Sequence, residues 1–279
     1  MRRLALVALL LASCSTGTPD AGPSAQRPPS SAAVTRAPVV PSRIAVADWW
    51  RPKTGVSWQW QLSGPLDLTV DAQVYDVDLF TTTSAQVREL HSAGRRAVCY
   101  LDAGSWEPGR PDSSAFAPAA LGTRLAGFPD ERWLDIRRSD LFPVLARRTD
   151  LCRTKGFDGV EFDNVDGYAN ATGFPLTAAD QLRFNRALAT MAHERGLAAA
   201  LKNDLEQVPA LQAAFDFSVD EQCAQYDECA LLTPFIAAGK PVLHVEYDLA
   251  PALFCPVTRP LGFSSLAKNL SLDSARVSC

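Results

Sequence analysis

The chain has 279 residues, 47% apolar and 21% charged, with 27 Lys and Arg against 31 Asp and Glu and a formal net charge of -4. This is ordinary globular composition, and it excludes a disordered, collagen-like or polytopic membrane chain. Nucleic acid is not an expected partner, because phosphate binding calls for a basic excess or a clustered basic stripe.

Arg2 and Arg3 precede an apolar run, Leu4 to Ala12, which closes on Leu11-Ala12-Ser13-Cys14. A charged start, a short apolar stretch and a small-residue ending read as a signal peptide with a lipobox. The run is shorter than the roughly 20 residues a membrane-spanning helix needs. The expectation is an exported chain whose residues 1–14 are leader and lipobox, with Cys14 lipidated; a plain secretory signal is the alternative. Membrane contact is then expected only through that N-terminal lipid anchor. Residues 15–42, dominated by Pro, Ser, Thr, Ala and Gly, read as a disordered tether. Residues 43–279 form one domain, expected to be a monomer. Six further cysteines suit three disulfides in an oxidising compartment. Cys223 with Cys229 closes a short local loop, Cys255 with Cys279 pins the C-terminus, and Cys99 with Cys152 is left by elimination.

Within the domain, short apolar runs alternate with helical patterns. Strands are predicted near Ser57–Gln61, Gln73–Val77, Ala97–Asp102, Gly159–Asp163, Ala198–Asn203, Phe215–Asp220, Pro241–Glu246 and Leu261–Ser264. Between them lie amphipathic helices with legible ends. Thr177 to Asp180 is a capping box and Gly196 a stop for a helix burying Phe184, Leu188 and Met191, while Thr83 and Gly94 bracket another with Val87 and Leu90 inside. Eight strand–helix units in a domain of this length fit an α/β fold, a single (β/α)8 TIM barrel. Strand after strand also ends in a charged or amide side chain, which a doubly wound open sheet would not be expected to do so uniformly.

The chain lacks nucleotide-binding glycine loops, the His-Glu-x-x-His zinc motif and the Gly-x-Ser-x-Gly elbow, so no cofactor and no metal are expected. His91 and His193 fall on predicted helices. His244 shares strand parity with Glu246, so it either faces the barrel interior as a base or is a hydrogen-bonded core residue. What remains is carboxylates. Cleaving a glycosidic bond needs one carboxyl to protonate the leaving oxygen and an ionised one to attack the anomeric carbon or activate water. Asp163 and Glu221, ending the fourth and sixth strands, fit those roles because even-numbered strands supply the same interior layers. A salt bridge is the plain alternative for any single strand-end acid. Glu161, one layer beneath Asp163, reads as a partner of Lys202 or a brace. Trp58 and Trp60 alternate on the first strand, where core filling and sugar stacking are both open. Trp106, Trp133 and Tyr168 fall in predicted loops, where binding residues concentrate.

The segments Trp58-Gln-Trp-Gln-Leu-Ser-Gly64, Cys99-Tyr-Leu-Asp-Ala-Gly-Ser-Trp-Glu107, Trp133-Leu-Asp-Ile-Arg137, Gly159-Val-Glu-Phe-Asp-Asn-Val-Asp-Gly-Tyr168, Leu201-Lys-Asn-Asp-Leu205, Glu221-Gln-Cys223 and Val245-Glu-Tyr247 run in order along the chain. Together they resemble glycoside hydrolase family 114, the endo-α-1,4-polygalactosaminidases. The resemblance implies a (β/α)8 barrel that cleaves internal α-1,4 links in partly deacetylated galactosamine polymers, with Asp163 and Glu221 as the catalytic pair. Many members place Pro before that Asp, whereas this chain has Phe162.

The expected assignment is Glu221 as general acid/base and Asp163 as nucleophile, giving a retaining enzyme. Trp58, Asp76, Asp78, Tyr100, Asp102, Trp106, Glu107, Arg110, Asn164, Asp166, Tyr168, Lys202, Asn203, Glu246 and Tyr247 are expected to contact the substrate. The strand-end acids, with Asp220 among them and offset by Lys202 and Arg110, would make the mouth negative. Such a mouth concentrates a cationic amino-sugar polysaccharide in a salt-sensitive way. Two rival readings stand beside this one: a non-catalytic envelope polysaccharide-binding lipoprotein using the same mouth, and a divalent-cation site among the acids.

Overall fold

The alternating strand and helix signals resolve into one barrel in the computed structural model, which describes residues 48–279. The leader, Cys14, the tether and residues 43–47 of the expected domain lie outside the described residues. In chain order the strands are β1 (Trp58–Gln61), β2 (Val74–Asp78), β3 (Arg96–Asp102), β4 (Ser105–Trp106), β5 (Leu121–Leu125), β6 (Phe128–Leu134), β7 (Gly159–Asp163), β8 (Ala198–Lys202), β9 (Phe217–Glu221), β10 (Val242–Glu246), β11 (Ser264–Ala267) and β12 (Val277–Ser278). The helices are α1 (Ser84–Ser92), α2 (Phe142–Lys155), α3 (Ala178–Glu194), α4 (Val208–Leu211), α5 (Thr233–Ala237) and α6 (Pro251–Thr258).

Strands β1, β2, β3, β7, β8, β9, β10 and β11 pair in that order, all parallel, and helices connect most of them. This is the (β/α)8 barrel that the strand spacing implies. Between β11 and β1 the ring closes through side chains and the segment that follows β11. Trp58 Nε1 donates to the Ser264 carbonyl at 2.8 Å, and the Leu62 N–H donates to the Leu272 carbonyl at 2.9 Å. Among the described residues no helix is long and apolar enough to cross a membrane.

Alternation along each strand divides the side chains between two layers. Trp58, Trp60, Val74, Val98, Ala198, Ala200, Phe217, Val219, Leu243 and Val245 fill the interior. Gly159 makes room there, since a Cβ on it would lie 3.1 Å from the Ala198 carbonyl oxygen. On the outer face, Tyr75, Val77, Cys99, Leu101, Val160, Phe162 and Leu201 pack beneath the helices. Burial of each large apolar side chain contributes roughly 1.5–3 kcal/mol. The expected capping box forms at Thr177 with Asp180, a second forms at Thr83 with Gln86, and Gly94 and Gly196 follow the two helices with φ of 73° and 68°. The three disulfides pair Cys99 with Cys152, Cys223 with Cys229 and Cys255 with Cys279, as expected.

Three expectations need correction. The eighth barrel strand starts at Ser264 rather than Leu261, because the chain leaving α6 is still turning at Gly262, whose φ is 79°. The sixth strand of the ring starts at Phe217, two residues late. Trp106 and Trp133 do not sit in loops. They belong to β4 and β6, which with β5 form an antiparallel three-stranded sheet inserted after β3.

Candidate active site

A cavity of about 670 Å³ opens at the C-terminal mouth of the barrel, within the size range of small-molecule sites. A groove of about 730 Å³ between α2 and α3 is larger, but it lies on the outer helices, away from the strand ends. The mouth cavity collects inward-facing residues from the ends of strand after strand: Asp78, Tyr100, Asp163, Lys202, Glu221 and, one residue beyond β10, Tyr247. Lys202 is at its centre, with its side chain only 3% exposed. Its Nζ lies 2.8 Å from Asp163 Oδ1, 3.0 Å from Glu221 Oε2 and 3.5 Å from Glu161 Oε1, and it stands 4.8 Å from the centre of the Trp60 ring. An ammonium buried this deeply is tolerated because carboxylates surround it.

Asp163 accepts from Lys202, from the Tyr100 hydroxyl at 2.6 Å and from the Asn164 N–H at 2.8 Å. Burial alone would raise its pKa. The Lys202 charge and the donated hydrogen bonds outweigh burial and hold the carboxyl below its ordinary value, so it is ionised. Glu221 has a different set of partners. The Tyr247 hydroxyl donates to Oε1, Asn203 Nδ2 donates to Oε2 at 3.2 Å, and the Asn203 side-chain oxygen takes the Glu221 N–H at 3.0 Å. Glu221 is also the more open of the two acids, with 25% side-chain exposure against 16%.

The backbone turns sharply just after each of these strands. Asn164, Asn203 and Gln222 follow β7, β8 and β9 with φ of 59°, 48° and 62°, in the left-handed region that non-glycine residues seldom occupy. Asn164 is held there by its side chain, which donates to Asp102 Oδ2 at 2.8 Å. Asp102 in turn accepts from the Ser105 N–H at 2.7 Å and from the Ser105 hydroxyl. Gly104 lets β3's exit pass directly beneath, since a Cβ there would sit 1.6 Å from the Asn164 carbonyl oxygen.

Beneath Lys202, Asp76 and Glu161 are fully buried, and among the described residues no hydrogen bond reaches their carboxylate oxygens. Burial raises both pKa values, and for Glu161 the neighbouring Asp76 charge adds to the effect. Asp166 on the cavity wall is also raised, first by burial and then by Asp163.

Of the residues expected to meet substrate, Asp78, Tyr100, Arg110, Asn164, Asp166, Lys202, Asn203 and Tyr247 line the cavity with Asp163 and Glu221. The others do not. Trp58 is interior packing, its indole N–H spent on Ser264, and Trp60 takes the place at the cavity floor. Asp76 lies a layer deeper, and Asp102 is buried as the brace of Asn164. Trp106 donates to the Ser113 carbonyl, Glu107 pairs with Arg110 at 2.6 Å, and Tyr168 reaches Glu206. Glu246 fails on parity: with Val245 and Tyr247 pointing inward, it points outward and is sealed against His244 Nε2 at 2.9 Å and the Ala224 N–H at 2.8 Å. His244 is therefore a hydrogen-bonded core residue, and Asp220 on β9 is likewise buried, so neither belongs to the mouth. Cys223, Cys229 and His244 cluster closely enough to resemble a metal site, but the disulfide consumes both sulfurs.

Sequence reasoning passed over most of the wall supplied by the inserted sheet: Arg124, Leu125, Phe128 and Glu131 face the cavity beside Trp133, the one residue of this wall that the sequence singles out. The alternation in Phe128-Pro-Asp-Glu-Arg-Trp133 is broken by a bulge against β5, which hides the strand from a period-two search.

A parallel (β/α)8 barrel that gathers two carboxyls around one ammonium at its mouth has the architecture of a glycoside hydrolase. Glycoside-hydrolase family GH114 matches residues 40–279. The chain belongs to this family and is a glycoside hydrolase. Ega3 from Aspergillus fumigatus, solved in complex with galactosamine, is 38% identical with a TM-score of 0.80, over 83% of this chain and 98% of that one. The glycoside hydrolase domain of PelA from Pseudomonas aeruginosa shares the fold at 18% identity and a TM-score of 0.63, over 81% of this chain and 99% of that one. No protein with a curated description is significantly similar in sequence.

Proposed function

We propose that the protein is an exported, endo-acting and retaining hydrolase of α-1,4-linked, partly deacetylated galactosamine polymers. Asp163 is the nucleophile and Glu221 the acid/base. The observation that carries this reading is the shared contact with Lys202. Asp163 and Glu221 both touch one Nζ, so their nearest oxygens cannot be further apart than the sum of 2.8 and 3.0 Å. An approach this close supports the roughly 5–5.5 Å spacing of a retaining pair over the 6.5–9.5 Å of an inverting one.

The division of labour follows from the surroundings of each acid. Asp163, kept ionised by Lys202, Tyr100 and the Asn164 N–H, attacks the anomeric carbon and forms a covalent glycosyl ester. Glu221, closer to solvent, gives its proton to the departing glycosidic oxygen. It then takes one from the water that hydrolyses the ester, which returns both acids to their starting states.

Support for the substrate class comes from the galactosamine bound in the Ega3 structure and from the cavity wall, where Asp78, Glu131, Asp163, Asp166 and Glu221 face Arg110, Arg124 and Lys202. A surplus of acid suits a polymer bearing ammonium groups. Export is supported by the leader pattern ending at Cys14, which also suits a lipid anchor, and by the three disulfides.

Asp163→Asn and Glu221→Gln should each lower kcat on deacetylated α-1,4-galactosamine polymer by about 10²–10⁴-fold with the fold intact. The released reducing ends should first appear as the α-anomer. Binding of the polymer without shortening by the unaltered protein would replace the enzymatic reading with that of a polysaccharide-binding lipoprotein, and initial β-anomer would refute retention.

A further inference from the structure

The wall that β5 and β6 add to the cavity is not explained by the chemistry at the strand ends. Gly127 turns the chain at the hairpin tip with φ of 82°, and Phe128 follows it with 55% of its surface exposed. Further along the same strand, Trp133 is buried and anchors the hairpin to the barrel. A phenyl ring gains roughly 1.5–3 kcal/mol from burial, and this one is held out beside the cavity that contains Asp163 and Glu221. Glu131 lies between the two aromatics. It takes one hydrogen bond, from Ser105 Oγ at 3.2 Å, and among the described residues its second oxygen has no partner.

Building on the amino-sugar reading above, we propose that this hairpin carries an outer subsite for the polymer. The Phe128 ring is the platform for one amino-sugar residue, and the Glu131 carboxylate receives the ammonium of a residue nearer the catalytic pair. Phe128 lies three residues nearer the hairpin tip than Glu131, so the hairpin forms a ramp leading away from the cleavage point. The face of a phenyl ring attracts a cation within about 6 Å, and its apolar surface suits the C–H face of a sugar. Burial and then the Glu107 charge push Glu131 up to about 7, so it gives up its proton most readily when a substrate ammonium is beside it.

The test is oligosaccharide binding to the full exported domain carrying Glu221→Gln, so that the ligand stays intact. Adding Phe128→Ala should weaken the Kd for a deacetylated α-1,4-galactosamine hexamer about fivefold, while changing that for the dimer less than about twofold. Phe128→Trp should restore the hexamer affinity. Glu131→Gln should reduce the preference for deacetylated over N-acetylated hexamer at least about threefold. Because Phe128 is exposed, an unchanged unfolding midpoint checks that the variant is folded. Equal weakening for dimer and hexamer, or none for either, overturns the subsite while leaving the enzymatic reading intact. Failure of the parent protein to bind any galactosamine hexamer, acetylated or not, overturns both.

Discussion

Replacing Lys202 with Met removes an ammonium that touches Asp163, Glu221 and Glu161 and leaves their carboxyls facing one another. Removing one partner of a buried ion pair costs about 3–5 kcal/mol, and a side chain 3% exposed has little solvent to soften the loss. The pH dependence gives the sharper prediction. In the unaltered protein the Asp163 pKa is depressed. The stability it contributes is present above the unfolded value near 3.9 and is lost as pH falls through the lower folded value. Without Lys202 the largest remaining influence is burial, which raises the folded pKa above the unfolded one. The sign then reverses, and the variant loses stability as pH rises through and beyond about 4. Glu161, already raised by burial and Asp76, moves the same way. Urea unfolding should show a loss of about 3–5 kcal/mol at pH 8 and less than about 2 kcal/mol near pH 4.5. At the higher pH the thermal midpoint should drop by roughly 6–20 °C for a domain of this size. A penalty equal at the two pH values, or below about 1 kcal/mol at pH 8, would refute the account of the site's electrostatics.

Two further substitutions probe how the acids are held. Gly104→Ala places a methyl 1.6 Å from the Asn164 carbonyl oxygen and must displace the turn that carries Asp163; kcat should fall about 10²-fold while far-UV circular dichroism is retained. Cys99→Ala with Cys152→Ala opens a loop of 53 residues between the outer face of β3 and α2, and denaturant unfolding should report a loss of about 4 kcal/mol with KM unchanged.

The barrel was legible because its strands repeat one rule, an apolar run that ends in a polar side chain, and because helix caps such as Thr83 and Thr177 mark the crossovers. Asp163, Lys202 and Glu221 could be placed by parity alone, each being an inward residue at a strand's last position. Parity failed where its starting point was wrong by one. Glu246 ends β10 just as Glu221 ends β9, yet the inward residue is Tyr247, one step beyond the strand. Trp58 and Trp60 share one face, and only the depth of the layer separates core filling from cavity floor. The inserted sheet escaped because its bulged, partly exposed strands bury too little to leave a pattern. Its strand β6 nevertheless places Glu131 and Phe128 in the wall.

The left-handed turns at Asn164, Asn203 and Gln222 have a consequence for engineering. Each holds on the order of 1–3 kcal/mol of conformational cost at the rim where the reacting groups stand, and glycine at any of them would relax the backbone. But the Asn164 amide is what ties Asp102 to the Asp163 turn, and the Asn203 amide is what steadies Glu221. Heat resistance obtained at these positions therefore trades directly against turnover, and a hardier variant has to be sought among the outer helices instead.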